Sequence, residues 1–313
     1  MNSQLPCRGE ILFLYDAKDS NPNGDPLDEN RPRIDPETRI NLVTDVRLKR
    51  TVRDYVHNYV YIKDPVSPEG MRKRIFVIEE VDDNGVQSNV EKRAINLKFE
   101  KIEDFLSCWD VRLFGGTLAI KNSSWSLTGP VQFHMGRSLN PVNIHAIQGT
   151  SVFSSTGKEK MGSMRMEYQV FYSLIAFWGV INPTTAERQN IPLSESDIEL
   201  LIEALWEGTR NLTTRSKLGQ IPRLLLRINY KPEHSKFFLG ELERGIKFIP
   251  SKDLEIDAVR CVDDYNLDIT ILLDRIKKHT DKIGSIEFRK DTGLKLQPDL
   301  FNDDNIKSLL KSI

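Results

Sequence analysis

Residues 16–60 read DAKDSNPNGDPLDENRPRIDPETRINLVTDVRLKRTVRDYVHNYV, and this stretch carries most of the information in the chain. Its last third predicts a helix over 44–59, with Thr44 as the N-cap and Asp45 suited to the positive end of the helix dipole. Apolar residues recur at the three- and four-residue spacing that builds one helix face. They are Leu48, Val52, Tyr55, Val56 and Tyr59. We therefore expect this face to pack against a core.

The same helix carries a row of cations. On a helical wheel, Arg50, Arg53 and His57 lie opposite the apolar face, and Arg47 and Lys49 lie on its flanks. A row of exposed cations suits a row of phosphates, although a solvated helix face is the simpler alternative for a basic helix. The segment that precedes the helix favours phosphates.

That segment predicts a strand followed by a stiff, irregular excursion. Residues 9–16 are apolar on both faces, as in a central strand with a layer on each side, or with a nucleic acid across one side. Residues 17–41 contain four prolines, which exclude regular structure over most of their length. These are Pro22, Pro26, Pro32 and Pro36.

Several blocks in this order resemble the Cas7 family of the RAMP superfamily, the backbone subunits of type I CRISPR Cascade complexes, nearest to types I-B and I-C. The blocks are DAKDSNPNGDP (16–26), RIDPET (33–38), LVTDVRLKR (42–50), GPVQF (129–133) and GRSLNPV (136–142). The similarity spans roughly residues 9–230, whereas residues 231–313 match no motif.

The resemblance implies a non-catalytic subunit that binds the guide RNA (crRNA) and polymerises along it, in a DNA-surveillance complex of antiviral defence. The implied partners are the crRNA, target DNA through the guide, copies of the chain head to tail, and the large, small and guide-end-binding Cascade subunits. Members of the family also carry a thumb-like hairpin that crosses the guide and displaces a base. Residues 145–166 occupy the matching place.

The predicted RNA-binding residues combine cations, turn amides and apolar wedges. Arg137, between Gly136 and Ser138, offers a charged fork beside a close backbone approach, with a salt bridge at a strand end as the alternative. Methionines in the hairpin suit insertion between bases, with packing inside the hairpin as the alternative. The full set is Lys18, Asn21, Asn23, Arg47, Lys49, Arg50, Arg53, Arg137, Ser138, Gln148, Lys160, Met161, Met164, Arg165 and Met166, with Arg215 and Lys217 as additional candidates.

The charge of the chain is balanced overall and sorted locally. There are 44 Lys and Arg against 45 Asp and Glu, so a nucleic-acid contact has to come from a local patch. Residues 31–57 are rich in bases, whereas residues 195–207 hold five acids and no base. Such a distribution also suits copies that stack head to tail.

Other bulk properties indicate a cytoplasmic globular protein. Cys7, Cys108 and Cys261 are isolated, so they predict neither a disulfide framework nor a metal site. The N-terminus lacks an apolar signal region, and no apolar run approaches the ~18 residues that span a bilayer. A membrane association is therefore not expected.

The remaining pattern predicts an α+β fold with a ferredoxin-like or RRM-type core, formed as one elaborated domain over 1–313. The proposed insertions are approximately 17–43, 82–125 and 145–166. The predicted elements are strands at 74–80, 129–135, 168–180, 224–228 and 284–289, a turn at 82–85, a loop at 114–117, a capped helix at 194–206, and helices near 266–278 and 304–311.

Two metal-dependent alternatives follow from the loop. Asp19, Asn21, Asn23 and Gly24 match the start of a calcium loop, but Asn30 stands where the bidentate glutamate belongs. The loop aspartates also permit a metal-dependent, guide-directed endoribonuclease. They are Asp16, Asp19, Asp25, Asp28 and Asp35, and each is also an ordinary turn former beside Asn, Pro or Gly. No cofactor and no metal is predicted, and a plain scaffold protein is the remaining alternative.

Overall fold

The computed structural model describes residues 5–81, 85, 87–120, 123–150 and 164–313. Its helices are α1 (Asp45–Tyr55), α2 (Pro68–Met71), α3 (Val90–Asn96), α4 (Ile102–Leu106), α5 (Trp109–Phe114), α6 (Pro183–Arg188), α7 (Glu195–Arg210) and α8 (Thr270–Lys277). A π-helical turn over Val56–Val60 extends α1. The Thr44 hydroxyl accepts from the Arg47 amide at 3.2 Å, as an N-cap does.

The strands are β1 (Gly9–Ser20), β2 (Gly24–Asp25), β3 (Arg31–Pro32), β4 (Ile40–Val43), β5 (Gly115–Ile120), β6 (Ser123–Thr128), β7 (Val131–Phe133), β8 (Gly136–Pro141), β9 (Ile144–Thr150), β10 (Met164–Ile181), β11 (Gln220–Tyr230), β12 (Lys247–Pro250), β13 (Tyr265–Asp268), β14 (Ile283–Lys290), β15 (Leu296–Gln297) and β16 (Leu310–Ser312). The main sheet runs in the order β16-β14-β11-β1-β10-β8-β4, and β7 and β9 also pair with β10. The strand order confirms the predicted α+β class.

The centre of the sheet has β1 between β10 and β11, antiparallel to both. Because α1 follows β1 and α7 joins β10 to β11, the chain runs strand, helix, strand, strand, helix, strand, an order compatible with a ferredoxin-like core. The capping box predicted for the second helix is present, with Ser194 and Asp197 bonded reciprocally. These two helices lie on the same face of the sheet.

Strand β1 is apolar on both faces because each face is covered. Ile11 and Phe13 point into a core with α1, α5 and α7. Leu12 and Leu14 point into a second core that residues 242–306 help to build. Residues 231–313 therefore cover the second face of the sheet, and the alternative of a nucleic acid across the centre of that face is wrong. A strand shared by both cores supports the proposal of one domain.

A buried carboxylate joins β1 to this C-terminal layer. Glu10 has no exposed surface. One of its oxygens accepts from the Trp178 indole at 2.8 Å and from the Gly240 amide at 2.8 Å. The other oxygen accepts from the Tyr230 hydroxyl and from the Leu239 amide. The carboxylate is thus satisfied by neutral donors from three parts of the chain.

Three predicted elements are wrong, and each has a physical reason. Residues 74–80 form no strand, since the amides of Phe76 and Val77 donate to the buried Asp110 carboxylate instead of to a neighbouring strand. Residues 304–311 form only a single 3₁₀ turn, Lys307–Leu309, in place of the predicted helix, because Leu310 pairs with the edge of β14. The predicted loop at 114–117 is the end of α5 followed directly by β5. The predicted turn at 82–85 lies mostly outside the described residues.

Candidate nucleic-acid interface

The predicted cation row of α1 is largely buried against the same chain. The Lys49 amine lies 3.0 Å from the Asp45 carboxylate and 3.2 Å from the Gln132 side-chain oxygen. The Arg53 guanidinium lies 2.9 Å from Asp110, which is fully buried. Lys49 and Arg53 therefore form ion pairs within the chain, and the prediction that they belong to an exposed row of cations is wrong.

The other members of the row are also engaged. Arg50 is exposed, but it pairs with Asp54 at 3.4 Å and with Glu79 at 3.0 Å. His57 is half-buried, and burial is the main cause that lowers its pKa. Tyr59, predicted on the apolar face, is 42% exposed because the helix has changed to a π turn there.

A second segment of the sequence indicates that cations of α1 are buried, and a helical wheel of α1 alone does not include it. The segment WDVRLF at 109–114 holds two charges, Asp110 and Arg112, inside an apolar run. Charges in such a run predict buried pairs, because an unpaired buried charge is strongly unfavourable. Asp110 pairs with Arg53, and Arg112 pairs with Asp197 at 2.7 Å. Helix α5 thus covers the flank of α1 that the wheel assigned to RNA.

The loop after β1 is fixed to the start of α1 and to a distant loop. The Asn23 side-chain oxygen accepts from the Thr44 amide at 2.9 Å and from its hydroxyl at 3.0 Å. The Asn21 amide donates to the Ser216 carbonyl at 2.9 Å, and the Asn21 side chain donates to the Asn30 carbonyl. Both asparagines hold the backbone of this loop, and their contact with RNA stays a prediction.

This connection brings together two cations that the sequence separates by a long interval. Lys217 donates from its amine to the Asn21 carbonyl, and the charge of Arg47 acts directly on it. Burial, followed by the repulsion from Arg47, lowers the pKa of Lys217 to about 8. Burial also lowers the pKa of Arg47. Within the described residues, neither side chain forms an ion pair with a carboxylate, although the charge of Asp54 acts on Arg47. The two cations thus lack a direct ion-pair partner.

Three of the loop aspartates, Asp16, Asp25 and Asp35, are committed to other contacts. Asp16 is buried and accepts from Arg223 at 2.7 Å and from the Tyr172 hydroxyl at 2.8 Å. Asp25 pairs with Arg33 at 3.1 Å. Asp35 accepts from the amides of the turn that follows it, which lowers its pKa. Among the described residues, no group of three or more His, Cys, Asp or Glu side chains is arranged to hold a metal ion.

Two further predicted positions face the C-terminal layer. Lys18 pairs in register with Tyr172, and Arg137 pairs with Ala176, both of which belong to the second core. Because directly opposed residues share a face, Lys18 and Arg137 lie on the opposite side of the sheet from Arg47. Both are exposed. Ser138 is buried, where its hydroxyl accepts from the Asn41 amide, so the predicted backbone contact to phosphate does not involve this side chain.

The predicted thumb begins as the hairpin formed by β9 and the outer half of β10. Met164 pairs with Thr150, and Met166 pairs with Gln148, so the two arms run in register away from the sheet. Gln148 and Met166 are exposed. Arg165 lies on β10 between the two methionines. Lys160 and Met161 lie outside the described residues.

The acidic helix α7 is less available than its sequence indicates. Glu195 pairs with Arg227, and Glu203 accepts from the Tyr55 hydroxyl at 2.7 Å. Glu207 lies 3.6 Å from Arg210 and 3.7 Å from Arg289. Most of these acids therefore neutralise bases of their own chain. Head-to-tail stacking of copies would then depend on contacts other than an acidic face against a basic face.

Comparisons with known proteins identify the family of the chain. A sequence model of the family described as CRISPR-associated protein Cas7 matches residues 7–270. The chain belongs to the Cas7 family. A Cas7 protein of Haloferax volcanii is 33% identical over 327 aligned positions, which cover 96% of this chain and 91% of the relative. The predicted family membership is thus confirmed, and it agrees with the predicted function of a crRNA-binding backbone subunit.

Solved structures of similar fold extend the comparison to three dimensions. A chain of a CRISPR RNA-guided surveillance complex in a pre-nicking state has a TM-score of 0.54 at 13% identity, covering 98% of this chain and 96% of that one. A second surveillance-complex chain has a TM-score of 0.52 at 14% identity, covering 98% and 94%. At these identities the likeness concerns the fold. In the part of the chain that is described, no helix is long and apolar enough to cross a bilayer.

Proposed function

We propose that this Cas7-family chain binds crRNA as the repeating backbone subunit of a type I CRISPR surveillance complex in the cytoplasm. One observation carries the proposal at the residue level: the Lys217 amine binds the Asn21 carbonyl of the loop that Asn23 fixes to the start of α1, where Arg47 lies, and neither cation has an ion-pair partner among the described residues. Holding two cations together in a partly desolvated position is unfavourable unless an anion joins them. A phosphate of the guide supplies that charge without reading sequence, as a carrier of many guides requires.

The fold restricts the path of the RNA. The face of the sheet that is open in an RRM is covered here by residues 231–313, and the other face is covered by α1 and α7. The RNA is therefore expected at the rim where the loop after β1, the start of α1 and the loop 211–219 meet. Arg47, Lys217 and Arg215 lie at this rim, which we call the phosphate rim, and Lys18 and Arg137 would contact RNA only where it passes round to the second face.

Copies of the chain would assemble head to tail along the guide, since a contact between unlike surfaces repeats without closing. The large, small and guide-end-binding subunits are then partners at the ends and along the length of the assembly. Specificity for target DNA comes from base pairing to the guide. The backbone subunit itself is proposed to be non-catalytic, because three of the five loop aspartates, Asp16, Asp25 and Asp35, are held by Arg223, Arg33 and turn amides. Asp19 is exposed and is therefore the loop aspartate to test.

The test is the salt dependence of guide binding by the double variant Arg47→Ala, Lys217→Ala. Each phosphate that is neutralised on a single strand contributes a slope of about 0.7 in log affinity against log salt, so losing the one phosphate held between the two cations should reduce the slope by about 0.7. Fluorescence anisotropy with a labelled guide at several salt concentrations measures this slope. The matched control is Arg188→Ala, Lys252→Ala, two exposed cations that do not belong to the phosphate rim. An unchanged slope in the first variant contradicts the proposed site.

The endoribonuclease alternative is tested with the same proteins. Labelled guide or target RNA is incubated with Mg²⁺, and Asp19→Ala serves as the variant of an exposed loop aspartate. We expect no cleavage by either protein. Cleavage that Asp19→Ala abolishes would replace the non-catalytic proposal with a metal-dependent one.

A further inference from the structure

The hairpin of β9 and outer β10 is held at its base from two directions. It leaves the sheet as a two-stranded ribbon, and such a ribbon is only marginally stable in water without further packing. The contacts at its base therefore decide how it is oriented. They involve Tyr168 and Glu167, successive residues of β10 whose side chains point to opposite faces of the ribbon.

On one face, Tyr168 contacts two side chains of the turn between β2 and β3. Its hydroxyl donates to the Glu29 carboxylate at 2.7 Å and accepts from the Arg31 guanidinium at 3.1 Å. The Arg31 guanidinium also lies over the Tyr168 ring, 4.4 Å from its centre, and pairs with Glu29 at 3.1 Å. The three side chains thus form a closed set in which each contacts the other two.

On the other face, Glu167 connects the ribbon to the phosphate rim. Its carboxylate lies 3.2 Å from the Arg215 guanidinium and is largely shielded from solvent. Arg215 and Lys217 belong to the same loop. Ser216 lies between them, and its carbonyl accepts a hydrogen bond from the Asn21 amide. A displacement of this loop by bound RNA would therefore act directly on the base of the ribbon.

We propose that Tyr168 and Glu167 are positioning residues that clamp the β9–β10 hairpin between the β2–β3 turn and the phosphate-rim loop. The clamp sets the direction in which the hairpin leaves the sheet, and so the place at which it meets bound RNA. The role in RNA positioning rests on the proposed function, whereas the clamp itself is a property of the free protein. Neither residue was among those predicted from the sequence.

The first measurement uses hydrogen exchange of the RNA-free chain. In Tyr168→Ala, Glu167→Ala, amides of 144–150 should exchange about tenfold faster, whereas those of β1 and β11 should keep their protection, since only the ribbon is released. Tyr168→Phe keeps the ring under Arg31 and loses the hydroxyl, so its effect should be intermediate. Tyr59→Ala removes a comparably exposed tyrosine outside the clamp and should leave the ribbon unchanged.

The second measurement maps which guide nucleotides the bound protein protects from chemical probes. We expect the guide nucleotides protected by the double variant to lack sharp boundaries. The affinity should fall less than about threefold, because Arg47 and Lys217 are unchanged. A residue with a merely structural role would change affinity or stability and leave the boundaries in place. Unchanged exchange in 144–150, or boundaries as sharp as in the natural sequence, would overturn the clamp. Failure of the unaltered chain to protect any guide counts against the proposed function instead, and the exchange result then decides the clamp on its own.

Discussion

Guide binding should depend on pH through Lys217. In the free protein, burial and then Arg47 lower the pKa of Lys217 from 10.5 to about 8. The groups that face its amine are the Arg47 guanidinium on α1 and the Asn21 carbonyl on the loop after β1. A phosphate placed between the two cations favours the charged amine and should return the pKa towards its ordinary value.

The magnitude follows from linkage. If the bound-state pKa is near 10.5, the affinity changes little below about pH 7 and falls about tenfold between about pH 7 and about pH 9, because the free lysine is mostly neutral at the higher pH and must take up a proton on binding. Lys217→Arg keeps the positive charge and does not titrate in this range. Its affinity should therefore be nearly independent of pH.

The assay is anisotropy of a short labelled guide fragment at constant ionic strength, since salt alone shifts phosphate binding. Lys236→Arg, at an exposed position of the C-terminal layer, is the matched control and should follow the unaltered chain. Two results would refute the reasoning: an affinity that does not change with pH in the unaltered chain, or an equal pH dependence in Lys217→Arg.

Three further predictions concern stability. Lys217→Met removes a cation that burial and Arg47 both disfavour, so calorimetry should show a Tm raised by about 2 °C even as guide affinity falls; a lowered Tm contradicts this. Arg53→Met leaves the Asp110 carboxylate buried without its cation, which should cost about 3–5 kcal/mol in urea unfolding while the folded fraction binds guide normally. Glu10→Gln presents an amide to donors that need acceptors and should cost about 2 kcal/mol, with a change in Trp178 fluorescence as the local signal.

The same linkage fixes the sign of one stability effect. A lysine whose folded pKa is depressed binds fewer protons in the folded than in the unfolded state between about pH 8 and about pH 10.5, so its contribution to stability increases as the pH rises through that window. Below about pH 8 the penalty of the charged amine is fully present. The stabilising effect of Lys217→Met should therefore be largest near neutral pH and fade at higher pH.

The sequence predicted the elements whose causes are local. The N-cap of α1, the capping box of α7 and the two-faced apolar pattern of β1 each depend on residues a few positions apart, and all three are present. The strand at 74–80 is absent, and the helix at 304–311 is reduced to one 3₁₀ turn, because their backbone groups are satisfied by a distant carboxylate and a distant strand edge. Local propensity contains no information about such partners.

The candidate site likewise has features that the sequence predicts and features that depend on tertiary contacts. A helical wheel shows on which side of α1 the side chains of Lys49 and Arg53 lie. It cannot show that α5 packs on that side and supplies Asp110 as a partner. Arg47 and Lys217 are paired only because the loop after β1 contacts residue 216. The prediction of RNA binding thus depended on the family resemblance, whereas the residues proposed to perform it follow from the tertiary contacts.

The distribution of charge partners also explains why the phosphate rim is the place for an anion. Most basic residues near α1 meet an acid of their own: Lys49 has Asp45, Arg50 has Asp54 and Glu79, and Arg53 has Asp110. Their fields are cancelled at short range, so they attract a polyanion only weakly. Arg47 and Lys217 have no such partner among the described residues, and the adjoining Glu167–Arg215 pair connects them to the hairpin. If RNA neutralises Arg47 and Lys217 as we propose, it would bind beside the base of the β9–β10 hairpin, and phosphate binding and hairpin position would be parts of one event.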